Sequence, residues 1–239
     1  MDGPLTAMIL AAGIGKRLRP ITIEIPKALI EINGKSMILR HLEMLEQVGF
    51  EKVIVNLFHL GYKIEEALQK DSPKNLEIIF SKESLLLETA GGIANALPNI
   101  NTNYFAVINS DIFTDYNFIN LKNKILEFRE KDHLLGHLIL VENPPHHKCG
   151  DFSIAGDLVS NHAERSLTFS GISVFNRKMF DNIRPRTACP LAPILKEAVS
   201  KQLISGGLHS GFWADIGTPE RLTALRNELE ENDNNLPTE

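Results

Sequence analysis

The chain is predicted to be an α/β protein built on a mostly parallel sheet with helices on both faces. Three observations predict this class. Apolar, β-branched runs recur along the first 140 residues, stretches of helical period separate them, and the first run leads straight into a glycine-containing, cation-rich loop. Residues 6–12 form the first apolar run, continuous enough for a strand covered on both faces. Further strands are expected at 52–56, 76–80, 104–109 and 135–141, alternating with helices at 37–48, 62–68, 93–97 and 118–128. Beyond about residue 150 the pattern becomes irregular, with strands expected at 151–159 and 167–175. A smaller α+β lobe is expected there, covering the rim of the sheet. In the last helix Thr218 is the N-cap, Pro219 the first helical residue and Glu220 an acid in the first turn. That helix is expected to run to about residue 231, leaving a polar tail at 232–239. The domain expectation is one unit over 1–231, with one half at about 1–140 and a lobe at about 141–215.

Composition limits the partners. With 239 residues, 43% apolar content and a net charge of −5, the chain can bury a sizeable core and carries no basic block, so neither nucleic acid nor an anionic membrane is expected as partner. No apolar run approaches the roughly 20 residues of a membrane-spanning helix. The N-terminus has no signal-peptide pattern, and Cys149 and Cys189 form no dense spacing, so a cytoplasmic, reducing location is expected. The run His146-His147-Lys148-Cys149 follows Pro144-Pro145 and reads as an exposed loop, since no second cluster completes a zinc site.

The loop after the first strand is the most informative segment. Gly13 and Gly15 allow backbone amides to approach an anion, and Lys16, Arg17, Arg19 and Lys27 place four positive charges within twelve residues. This is the composition of a phosphate cradle. It is not a dinucleotide fingerprint, because Leu18 stands where the third glycine is needed and Asn56 where an acid is needed. Nor is Gly34-Lys35-Ser36 a Walker loop, since the first glycine of that motif falls on Leu29, so the tripeptide is expected to be a turn. Asp111 and Asp215 each end an apolar run. Two such carboxylates suit a hard divalent cation such as Mg²⁺, although ordinary loop acids satisfy the same pattern.

Taken together, Ala11 to Pro20, Pro26-Lys27, Asn109-Ser110-Asp111 and Trp213 to Pro219 resemble the ordered motifs of the sugar-1-phosphate nucleotidyltransferases over nearly the whole chain. The resemblance implies a Rossmann-like nucleotidyltransferase sheet and a Mg²⁺-dependent reaction between a nucleoside triphosphate and a sugar-1-phosphate. It implies that Ala12, Gly13, Gly15, Lys16 and Arg17 wrap the triphosphate, with Thr89, Ala90 and Gly91 near the base. Arg17 would stabilise the leaving pyrophosphate and Lys27 would bridge the two phosphates, making these the catalytic cations. Asn109 and Asp151 would contact the sugar phosphate, and Asp111 and Asp215 would hold the metal.

Four further stretches, at 56–60, 87–93, 150–152 and 168–172, resemble the branch that uses UTP and N-acetylmuramic acid 1-phosphate. Guanylyl transfer to mannose 1-phosphate and nucleotidyl transfer to glucose 1-phosphate are the alternatives within the family. A non-catalytic nucleotide-sugar sensor is the alternative outside it. Two departures stand out: Ser110 replaces a common glycine, and Glu164-Arg165 occupies the expected place of a Glu-Lys-Pro motif.

Overall fold

The computed structural model describes residues 3–131, 133–161 and 166–234. Glu164 and Arg165 therefore lie outside the described residues. In chain order the elements are β1 (Thr6–Leu10), α1 (Ile21–Glu24), β2 (Glu31–Ile32), β3 (Lys35–Ser36), α2 (Met37–Gln47), β4 (Lys52–Leu57), α3 (Gly61–Lys70), β5 (Glu77–Lys82), α4 (Glu88–Ala96), β6 (Tyr104–Asn109), β7 (Ile112–Thr114), α5 (Ile119–Glu130) and β8 (Gly136–Val141). There follow β9 (Ser153–Ala155), β10 (Leu158–Ser160), β11 (Thr168–Asn176), α6 (Leu191–Ser200), β12 (Ile204–His209), β13 (Trp213–Asp215) and α7 (Pro219–Asn234).

Nine strands form one sheet in the order β5-β4-β1-β6-β11-β8-β12-β10-β9. Strands β5, β4, β1 and β6 are mutually parallel, as are β8 and β12, while β11 runs antiparallel between β6 and β8. The sheet is thus mixed but mostly parallel in direction, as expected. Strand β1 is an interior strand, third from one edge, and its side chains alternate between two cores. Ala7 and Ile9 pack with residues of α2, α3 and α5, whereas Met8 packs with residues of α4 and α6. Ala7, Met8 and Ile9 are fully buried. Burial on both faces explains why β1 reads as one unbroken apolar run. Each large apolar side chain so enclosed contributes roughly 1.5–3 kcal/mol.

Strand β1 pairs with β4 on one side and β6 on the other, and the chain moves outward through β4 to β5 before crossing back to β6. The strand order therefore diverges at the carboxyl end of β1, the position at which open α/β sheets bind ligands. A third, smaller core closes this end. Leu18, Ile30, Ile32 and Met37 from the N-terminal segment pack there against Ile216, Leu222 and Leu225.

Several local expectations are corrected by the structure. The segment at 151–159 is a hairpin of β9 and β10, turning at Gly156 and Asp157, because the left-handed φ of +63° at Gly156 reverses the chain. The helix at 93–97 begins earlier, at Glu88. Residues 34–36 are more than a turn. Asn33 and Gly34, with φ of 49° and 70°, close a tight hairpin between β2 and β3, and Ser36 Oγ then caps α2 by accepting from the amide of Leu39 at 3.4 Å. Helix α7 continues to Asn234, three residues past its expected end. Among the described residues, no helix is long and apolar enough to cross a membrane.

Candidate active site

The phosphate loop is held open by its own backbone. Gly15 has a left-handed φ of +65°, and Thr22 Oγ1 donates to its carbonyl at 2.7 Å, so the loop is tied to α1 before it meets any ligand. Beneath it, Asn56 at the end of β4 accepts from the amide of Ala11 at 2.7 Å and donates to Glu83 at 2.7 Å. Glu83 in turn accepts from the amide of Leu87 at 3.2 Å. One chain of hydrogen bonds thus connects the start of the loop to the start of α4. Burial, only partly offset by the Asn56 and Leu87 donors, pushes the Glu83 carboxyl above its ordinary range. His59 approaches the carbonyl of Thr22 at 3.0 Å and so braces the segment that follows the loop.

A cavity of about 360 Å³ opens over this loop. It is lined by Ala12, Gly13, Gly15, Lys16, Arg17, Lys27, Thr89, Asn109 and Asp111 among the expected residues, and also by Asn56, Glu83, Leu86, Glu88 and Gly217. Of the residues expected around the nucleotide, Ala90 and Gly91 are not brought to it. Both are buried, and their amides donate to the carbonyl of Cys189 at 3.0 Å. A Cβ on Gly91 would sit 2.3 Å from the carbonyl oxygen of Thr187, so the glycine serves close packing against that segment. Only Glu88 and Thr89, at the tip of α4, face the cavity.

A second cavity of about 340 Å³ lies beside the first and shares Arg17, Asn109 and Asp111 with it. Its other walls are Ile112, His146, His147, Thr168, Phe169, Ser170, Trp213, Asp215 and Arg221. The short ladder of β7 and β13 supplies part of the wall of the second cavity. It pairs Asp215 with Ile112, and Ile216 donates its amide to the carbonyl of Asp111 at 2.9 Å, so two carboxylates distant in sequence become neighbours. Asp111 is ion-paired with Lys27, and Asp215 with Arg221. Trp213 forms part of the wall and donates from its indole to the carbonyl of Ser170 at 3.0 Å.

Asn109 is fixed by an irregularity in β11. Pairing with β8 shifts register between Phe169 and Ser173, and Gly171 at φ +80° faces the Asn109 side chain, where a Cβ would lie 2.5 Å from Nδ2. Asp151 lines neither cavity. One of its oxygens meets His147 at 3.0 Å and the other accepts from the amide of Phe169 at 2.9 Å, so it braces two wall residues from behind. Ser110 is buried, with its amide on the carbonyl of Leu10 at 3.2 Å, and lines the first cavity.

Sequence reasoning missed most of the second cavity, including Arg221. A signal did exist: Arg221 stands in the first turn of α7, where a cation opposes the helix dipole and needs a local anion. Asp215 supplies it.

Asp111 and Asp215 offer hard oxygen donors on one short ladder. Among the described residues no group of three or more His, Cys, Asp or Glu could hold a metal. The pair therefore suits a cation that takes one or two carboxylates and completes its shell with water and phosphate oxygens, as Mg²⁺ does.

This fold, with a cationic glycine loop at the split in the sheet and paired carboxylates between two cavities, defines a nucleotidyl transferase. The chain belongs to that family, Nucleotidyl transferase, which matches residues 6–232. It is 41% identical over 222 residues to N-acetylmuramate alpha-1-phosphate uridylyltransferase of Neisseria meningitidis, covering 91% of this chain and 95% of that one. It is also 29% identical to the mannose-1-phosphate guanylyltransferase catalytic subunit beta of Drosophila melanogaster, of whose length it spans 60%. The fold matches the crystal structure of HddC from Yersinia pseudotuberculosis with a TM-score of 0.74 at 23% identity, over 94% of this chain and 99% of that one.

Proposed function

We propose that the protein transfers a uridylyl group from UTP to N-acetylmuramic acid 1-phosphate, giving the UDP-sugar and pyrophosphate. The observation that carries this reading is the pair of cavities meeting at Arg17, Asn109 and Asp111, one over the phosphate loop and one beyond it. Two anionic substrates can lie there with their phosphates facing. The identity to the Neisseria uridylyltransferase over almost all of both chains supports the choice of donor and acceptor. In this reading residues 1–231 act as one unit. The half at about 1–140 receives the nucleotide and the lobe at about 141–215 the acceptor.

An oxygen of the sugar phosphate attacks the α-phosphorus in line, and the bond to pyrophosphate breaks. No protein nucleophile or strong base is required, because the acceptor phosphate is already ionised. What the protein must supply is charge. Lys27 exchanges its contact with Asp111 for the phosphates that meet beside it, and Arg17, on the shared wall, stabilises the departing pyrophosphate. The amides of the 12–17 loop hold the triphosphate, and Thr89 lies at the base end. Mg²⁺ held by Asp111 and Asp215 would offset charge on the α-phosphate and on the leaving group. Asn109 orients the acceptor phosphate, and Asp151 supports the same wall through His147 and Phe169.

The two unpaired cysteines are consistent with a cytoplasmic setting, and this acceptor belongs to the recycling of peptidoglycan. The test is pyrophosphate release by purified protein with UTP, GTP or dTTP against the 1-phosphates of N-acetylmuramic acid, N-acetylglucosamine, glucose and mannose. UTP with the muramic sugar should give the highest kcat/KM. Preference for GTP and mannose 1-phosphate would reassign the substrates, and no Mg²⁺-dependent release with any pair would favour a sensor.

A further inference from the structure

The acceptor proposed above differs from N-acetylglucosamine 1-phosphate by one lactyl ether, which carries a carboxylate. An enzyme that selects it needs a cation on the acceptor side that the phosphates do not use. Four lysine and arginine side chains line the cavities, on three separate attachments. Lys16 and Arg17 sit on the phosphate loop, Lys27 pairs with Asp111, and Arg221 comes from the first turn of α7. Of these only Arg221 is confined to the second cavity.

Arg221 is held by one end of its guanidinium. Nη1 contacts both oxygens of Asp215 and lies 2.8 Å from His146 Nε2, which is itself 3.1 Å from Asp215 Oδ1. Nε and Nη2 have no hydrogen-bond partner among the described residues, although a guanidinium carries five donors in a fixed fork. The group lies flat against Gly217, where a Cβ would be 2.2 Å from Nη2, so the absence of a side chain at 217 makes the room it occupies.

Charge points the same way. A divalent cation on Asp111 and Asp215 would balance both carboxylates and leave Lys27 and Arg221 without their present counterions. The reacting phosphates take up Lys27. Arg221 then faces the acceptor cavity as a cation in want of an anion.

We propose that Arg221, backed by His146, receives the carboxylate of the sugar-1-phosphate acceptor and is the residue that selects it over its neutral counterparts. The inference rests on the uridylyl-transfer reading above and adds the group that recognises the acceptor. A forked guanidinium meeting a carboxylate gives a stronger and more directional contact than a neutral donor.

Calorimetric titration of each acceptor alone into the protein with Mg²⁺, in the absence of nucleotide, reads binding without turnover. Wild type should bind N-acetylmuramic acid 1-phosphate more tightly than N-acetylglucosamine 1-phosphate. Arg221→Gln should shrink that preference at least tenfold, both in Kd and in the ratio of kcat/KM values. Arg221→Lys, which restores the charge without the fork, should recover part of it and guards against a simple folding defect. Equal losses on both acceptors in Arg221→Gln would overturn the inference while leaving the function standing, because Arg221 would then act only through Asp215. A wild-type protein without preference for the muramic sugar would overturn the acceptor assignment and this inference with it.

Discussion

His137, near the start of β8, gives a stability prediction that can be worked from its surroundings. Its ring is 7% exposed, Nδ1 contacts Ser205 Oγ at 2.8 Å, and the plane stands edge-on to Phe128. Burial, reinforced by the nearby Lys124 and opposed by Glu127, lowers its pKa from 6.5 to about 4. The unfolded chain therefore takes up a proton below pH 6.5 that the folded protein refuses. Stability from this group is complete above pH 6.5, falls by about 1.4 kcal/mol per pH unit as pH drops towards 4, and levels off below that. By pH 5 the loss is about 2 kcal/mol. Glu83 works in the opposite sense, since a carboxyl whose pKa is raised on folding favours the folded state at low pH and loses that contribution as pH rises through its folded pKa.

Comparison of wild type with His137→Phe isolates the histidine, because Glu83 and all other groups are common to both proteins. The variant has its own baseline cost, and only the pH dependence is read. Urea denaturation at pH 8, 6 and 5 should show the gap between wild type and variant moving by about 2 kcal/mol in the variant's favour between pH 8 and 5. Parallel curves at all three values would refute the argument.

Lys27→Ala and Asp111→Asn should retain the fold and lose about 10²–10³ in kcat for pyrophosphate release, since both act on charge where the substrates meet. Activity within a few fold of wild type in both would remove them from the mechanism. Asn56→Ala leaves the amide of Ala11 and the carboxyl of Glu83 without their shared partner, and should cost about 1–3 kcal/mol in urea denaturation together with a raised KM for the nucleotide. Gly171→Ala forces a side chain at φ +80° into Asn109, so a loss of about 1–3 kcal/mol and a higher acceptor KM are expected. An unchanged KM would show that Asn109 does not orient the acceptor.

The half that carries the glycine-rich loop was legible because its signals are local. A central strand buried on both faces must be apolar throughout, and a loop that receives phosphates must combine glycine with cations, so β1 and the 12–17 loop declare themselves in consecutive residues. The second cavity was not legible for the converse reason. Its walls come from the segment after β8, from β11, from β13 and from α7, and a ladder of three residue pairs unites them. No periodicity encodes that meeting. Strand β11 was expected as a strand, but nothing in its composition says that it enters the main sheet antiparallel between β6 and β8. Ala90 and Gly91 illustrate a different limit. Small residues at a helix start suit a ligand and suit tight packing equally, and in the structure their amides meet the carbonyl of Cys189.

The small core that joins Leu18, Ile30 and Met37 to Ile216, Leu222 and Leu225 has a consequence for how damage would spread through the protein. The segment that carries the phosphate loop and the segment that carries Asp215 lie far apart in sequence, and this cluster holds them to each other. Loosening α7 would therefore disturb the surroundings of the phosphate loop without touching any strand of the main sheet.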